Sequence, residues 1–236
     1  MDNDYISGGL AAEIGKKLES MIVSGELKIG QQLPTERELA DALDVSKGVI
    51  HAGITDLARK GFLRIVPRHG VYVADYVKNG TLEVLSAIVN NNGGKIDKAL
   101  AESIMKTRLA LEGISVYELA QNHTDMQLTR LRAMLGNMRS TVEKGEIKTS
   151  RELSEKIQEM FMAKCVMSGN HIIPIFVSSS SELSIKLTQY WVESVGFDET
   201  IRGQERTLER IAAGDAAGAL ANLKQEVDAA IAALYE

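Results

Sequence analysis

The sequence predicts a mainly α chain: an N-terminal winged helix-turn-helix followed by an all-α helical bundle of about seven helices. Three observations carry this. Two short helical patterns sit three or four residues apart between Pro34 and Lys60. FLRIV and GVYVA then alternate like paired strands around Pro67-Arg68-His69-Gly70. From Thr81 onward helical patterns follow one another without strand-like alternation.

Taken in order, residues 1–8 are polar and are expected to fray. Leu10 to Ser24 keeps a helical period through Leu10, Ile14, Leu18, Met21 and Ile22, with Gly25 as the stop. ELKIGQQLP reads as an extended linker. Thr35 with Glu38 three residues on forms a capping box for a helix from about Glu36 to Leu43. Asp44-Val45 makes the turn, Ser46 caps a second helix to about Lys60, and Gly61 ends it. Tyr76–Gly80 is a candidate boundary. The predicted domains are 1–77, a linker with a short helix at 78–94, and 95–236. Helices are expected at Thr81–Asn90 (closed by the turn signal Asn91–Gly94), Lys95–Asn122, Asp125–Lys144, Thr149–Ser168, His171–Val195, Thr200–Ala213 and from Asp215 to about Leu234.

Composition narrows the function. The chain has 236 residues, 44% of them hydrophobic, long enough for a sizeable core. Cys165 is the one cysteine, so no internal disulfide forms, and a reducing cytoplasmic location is expected. The N-terminus lacks a signal-peptide pattern, and no stretch is apolar enough to suggest a membrane span. The net charge is −5. Residues 1–77 hold 9 Lys/Arg against 11 Asp/Glu, so any nucleic-acid contact needs a local patch, for which Arg59, Lys60, Arg64, Arg68 and Lys47 are candidates. GxSxG, P-loop and HExxH motifs are absent, which argues against an enzyme.

Gly30, LPTERELA at 33–40, Val45-Ser46, Leu57, Lys60-Gly61, Gly70 and Val73 resemble the GntR family of bacterial transcription regulators. SGN at 168–170, AAGDAAGALANL at 212–223 and Arg108 with Glu112 resemble the C-terminal FCD-like domain of its FadR-type branch. The extra segment Gly80–Asn92 makes the layout similar to the fatty-acid-responsive subgroup. The resemblance implies a homodimer that binds a palindromic operator in double-stranded DNA and responds to a small metabolite, either acyl-CoA-like or an organic acid.

On the DNA side, Thr35 and Ser46 are caps whose helix N-termini also attract phosphate. Arg37 either contacts DNA or pairs with Asp41 at i+4. Lys47, Gly48 and His51 fall on the outward face of the second helix. The family usually has arginine at positions 47 and 51 and an acid at 52, so Lys47, His51 and Ala52 imply an altered base preference. Arg68, His69 and Gly70 form the wing tip. The alternative is a ligand-sensing dimer whose specific DNA binding is weakened or lost.

On the effector side, Arg108, Tyr190, Gln204 and Glu226 are candidates, Arg108 serving either a ligand carboxylate or Glu112. Many FadR-type proteins hold a divalent metal with one Asp and three His. Those positions fall here on Ile157, Phe161, Gln204 and Glu226, so no metal and no cofactor are expected. Met160, Phe161, Met162 and Met167 read as core filler or as an acyl pocket.

Overall fold

The computed structural model describes residues 2–91 and 98–233, which divide into two compact units, 1–95 and 96–236. The described residues hold twelve helices and one two-stranded antiparallel sheet. The last residues of the expected 78–94 linker, 92–94, and the first residues of the expected Lys95 helix lie outside the described residues.

In the first unit, α1 (Asp2–Val23) extends back beyond the expected Leu10. Its buried face is Ile14, Leu18 and Ile22. α2 (Glu36–Leu43) opens on the expected capping box: the Glu38 amide donates to Thr35 Oγ1, and the Thr35 amide donates to the Glu38 carboxylate at 2.8 Å. α3 (Lys47–Lys60) is capped by Ser46, whose hydroxyl accepts from the Val49 amide. Val49, Ile50, Gly53, Ile54 and Leu57 form its buried stripe, the i, i+3, i+4 spacing that the sequence shows. α1 crosses α3 at two glycines; a Cβ on Gly53 would lie 3.3 Å from the Ala11 carbonyl and 3.5 Å from the Gly15 amide.

β1 (Leu63–Val66) pairs with β2 (Gly70–Val73), Leu63 opposite Val73 and Val66 opposite Gly70. The segment read as a free linker joins this sheet. The Gly30 amide donates to Val73 O, Val73 N to Gln31 O, and Leu33 N to Val71 O, each near 2.9 Å. Its turn composition hid a strand-like partner. α4 (Tyr76–Asn79) is one helical turn wedged against the end of α3. A Cβ on Gly61 would lie 2.3 Å from Asn79 O, and Thr81 N donates to Lys60 O at 3.0 Å. α5 (Leu82–Asn91) buries Val84 and Ala87 in the same core.

The second unit is α6 (Lys98–Asn122), α7 (Asp125–Glu143), α8 (Ser150–Met167), α9 (Ile173–Ser179), α10 (Ser181–Val195), α11 (Phe197–Ala212) and α12 (Ala216–Ala233). Thr124 and Thr149 add two more capping boxes. The predicted His171–Val195 helix is broken in two. Pro174 sits in the first turn of α9, and the hydroxyls of Ser179 and Ser180 donate back to Ile175 O and Phe176 O, which closes α9 before α10 begins. The core joins α6, α7, α8, α11 and α12 through Val116, Leu131, Leu153, Ile157, Ile211 and Ala219. No helix among the described residues is long and apolar enough to cross a membrane.

Gly61 combines a φ of 89° with the blocked Cβ position, whereas Gly25, at φ 80°, faces open space. Gly61→Ala is expected to lose ~1–3 kcal/mol of unfolding free energy in urea titrations. Gly25→Ala should lose less, because it carries only the left-handed penalty.

Candidate functional site

The first unit presents a continuous polar face. Lys47, Gly48, His51 and Ala52 are exposed on the side of α3 opposite Ile50, Ile54 and Leu57. Gly48 has only Ser46 Oγ near its missing Cβ, at 3.8 Å, so packing does not require a glycine there. Glu36, in the first turn of α2, reaches this face. Its carboxylate accepts from His51 Nδ1 at 2.8 Å and lies 3.8 Å from Lys47 Nζ. Sequence reasoning passed over Glu36 because it reads as an ordinary first-turn acid; the contact needs the tertiary meeting of α2 and α3.

Arg37 reaches Asp41 only at 4.0 Å and is 90% exposed, so this pair contributes little. Thr35 and Ser46 both act as caps. Two of the five residues considered for a basic patch are engaged elsewhere: Arg59 binds Asp56 and Glu83, and Lys60 binds Asp56 and Glu19.

The wing tip is built by Gln32, a residue the sequence did not single out. Gln32 Nε2 donates to His69 O at 2.8 Å, and Tyr72 Oη donates to the same oxygen at 3.2 Å. Gln32 Nε2 would lie 2.7 Å from a Cβ on Gly70, whose φ is 108°. Gly70 is therefore required by the wing itself. Arg68 has a φ of 65°, a strained left-handed position for arginine, with His69 N closing the turn onto Val66 O at 3.0 Å.

The second unit holds a partly open cavity of about 60 Å³ between α6, α8, α10, α11 and α12. Arg108, Glu112, Gln204 and Glu226 line its polar side; Met105, Leu187, Trp191 and Val227 line its apolar side. Tyr190, the fourth candidate, is not brought to this cavity. It is 38% exposed and lies away from this lining, because Leu187, Thr188 and Trp191 occupy the inward face of α10.

Arg108 lines the cavity and is held by four neighbours. Nη1 donates to Ser184 Oγ at 2.8 Å and to Thr188 Oγ1 at 2.6 Å; Nε lies 3.4 Å from Glu112 Oε2; and the guanidinium carbon stands 4.7 Å above the Phe161 ring. Glu112 in turn binds the ammonium of Lys164, which also donates to Gln204 Oε1 at 3.2 Å. Lys164 is only 1% exposed. Burial alone would raise the Glu112 carboxyl, but Lys164 and Arg108 outweigh it and hold the group below the usual carboxylate range. The sequence did carry a signal for Lys164, the single charge inside MFMAKCVM.

The donor set does not suit a divalent ion. Ile157 and Phe161 are apolar and buried, and the oxygen of Gln204 is already taken by an ammonium. Among the described residues, no group of three or more His, Cys, Asp or Glu gathers at one place. Met160 and Phe161 are core. Met162 and Met167 line a separate open groove with Met134 and Val166, and the Arg151 bordering it is paired with Glu155 and Glu182. Cys165 is buried, and burial pushes its thiol up to about 11, well away from a reactive thiolate.

Burial pushes Glu226 up to about 7, against the pull of Lys164 and of Asn222, whose Nδ2 donates to Oε1 at 2.8 Å. A folded-state value above the ordinary 4.5 means that the folded chain keeps a proton the unfolded chain has released. The contribution is complete below about 4.5 and is lost as pH rises through about 7. Glu226→Gln should therefore gain stability over the native chain between pH 5 and pH 8 in thermal melts. A constant difference across that window would mean that Glu226 titrates normally.

Comparison with known proteins agrees with this geometry. Residues 10–73 match the model of the bacterial regulatory proteins of the gntR family, and residues 103–229 match that of the FCD domain. The chain is 27% identical over 134 residues to the Bacillus subtilis HTH-type transcriptional regulator YcbG, covering 57% of this chain and 54% of that one. It is 26% identical over 207 residues to LutR of the same organism, covering 84% and 89%. The chain spans about half the length of the first curated relatives it matches. The solved structure of Listeria monocytogenes Lar is similar in fold, with a TM-score of 0.59 at 15% identity over 95% of this chain and 96% of that one. A winged helix with an FCD bundle, matched by transcriptional regulators, places the chain in the GntR family of bacterial transcriptional regulators.

Proposed function

We infer that the chain binds a palindromic operator as a homodimer and that a small organic acid in the Arg108 cavity modulates this binding. In this reading residues 1–77 contact DNA, 78–94 link, and 95–236 sense the effector and dimerise. The observation that carries the DNA half is the exposed face of α3, with Lys47, Gly48 and His51 beside the N-terminus capped by Ser46, where a recognition helix meets base edges. A glycine unexplained by packing at 48 and a strained Arg68 at the wing tip both suit close approach of a ligand backbone. Arg37 and His69 complete the contact set, as do the Thr35 cap and Gly70.

His51 carries the altered preference. Nδ1 faces the Glu36 carboxylate, so the ring is left with one other nitrogen and cannot supply the two-pronged fork with which arginine reads guanine.

The cavity size favours an organic acid over an acyl-CoA-like effector. About 60 Å³ accommodates only a few water-sized groups, and Arg108 supplies a fork for a carboxylate.

The second reading, a sensing dimer with weakened or lost specific binding, draws on Glu36, which sets a negative charge against both Lys47 and His51. A gel-shift titration with the chain's own upstream promoter DNA separates the two. The native protein should bind a palindromic fragment at least about tenfold more tightly than random DNA at moderate salt, and Lys47→Ala should weaken it. Native protein that binds neither, while the Lys47→Arg, His51→Arg variant binds the palindrome, would establish the second reading.

A further inference from the structure

The buried charges next to the cavity do not balance around Arg108 alone. Glu112 is a shared carboxylate, one oxygen facing Lys164 and the other 3.4 Å from Arg108 Nε. Lys164 does not line the cavity, whereas Arg108, Glu112 and Gln204 do. The lysine stands behind the wall and takes up the charge of Glu112. Arg108 is then held mainly by neutral hydroxyls, those of Ser184 and Thr188, and by the face of Phe161. Such partners orient a guanidinium without cancelling its charge. The remaining carboxyl on the wall, Glu226, is desolvated and held toward its neutral form. Two cations, Arg108 and Lys164, thus share the one carboxylate of Glu112, which leaves a net positive charge at the wall of a small cavity.

We propose that this cavity takes a small monocarboxylate on Arg108 with no metal ion involved, and that Lys164 is the positioning residue that keeps Arg108 available by neutralising Glu112. The proposal rests on the reading of the cavity as the effector site. Stability alone does not explain the lysine, since a well-packed apolar pair serves as well as a buried ion pair. Its removal would leave Glu112 to claim Arg108, and the ligand would then compete with an internal carboxylate. The opposite pairing follows for a double variant. Without the charge of Glu112 there is nothing for Lys164 to neutralise.

The test is titration of the full chain, dialysed against EDTA, with sodium acetate, succinate and hexanoate. Binding is followed by the methyl resonances of Leu187 and Thr188, which belong to residues of the cavity wall. Acetate is expected to bind without added metal and more tightly than the other two. Lys164→Met should weaken acetate at least about tenfold, and Glu112→Gln, Lys164→Met together should return it to within about threefold of the native chain. The double variant keeps the test decisive if the single one fails to fold. A double variant as weak as the single would mean that Lys164 acts by contact or by packing, and the proposal falls. Binding that needs added zinc, or that prefers succinate or hexanoate, overturns it as well while leaving the cavity as the effector site, provided Arg108→Met abolishes binding. If no probe binds at tens of millimolar and Arg108→Met changes nothing, the effector-site reading fails with it.

Discussion

Lys164 and Glu112 form a charge pair sealed inside the helical bundle, and the polar architecture of that unit follows from it. Isolated, either charge would be too costly to bury. Together they tie α8 to α6, and through Gln204 to α11. Arg108 shares the same carboxylate and carries the network on to Ser184 and Thr188 of α10. Four helices are thus fixed around one small cavity by hydrogen bonds whose directions leave little freedom. The apolar core supplies the bulk of the burial, but it does not specify where these side chains point.

The winged helix is organised differently. Its core is apolar throughout, and its polar contacts lie at the rim, in caps and in the wing. Glu36 and Gln32 are the residues that shape the exposed face, one against Lys47 and His51, the other beneath His69 and Gly70. Gln32 is exposed and Glu36 partly so, and each contact is individually weak in water. Their effect is one of placement, setting which atoms of the face remain free.

The sequence made some of this legible and not the rest, for physical reasons. Caps, glycine stops and apolar periods are local, and they located α2, α3, the hairpin and most of the bundle. The break at Ser180 was missed because the apolar period runs through it, while serine back-bonding and Pro174 decide the geometry. The strand-like pairing of Gly30–Leu33 was missed because backbone ladders leave no mark in a short segment full of turn residues. Arg108, Gln204 and Glu226, singled out as candidates through resemblance, line one cavity. Trp191 was not assigned there and Tyr190 was, because the choice among neighbours on α10 depends on the helix rotation that tertiary packing sets.

The most direct test of this account is a double-mutant cycle on Glu112 and Lys164, measured by urea unfolding without ligand. Glu112→Gln and Lys164→Met should each cost about 3–5 kcal/mol, since each breaks the buried pair. The double variant should cost less than the two together by at least about 2 kcal/mol. Costs that simply add would contradict the account, because Lys164 and Glu112 would then be two independent buried groups and not the pair on which the cavity is built.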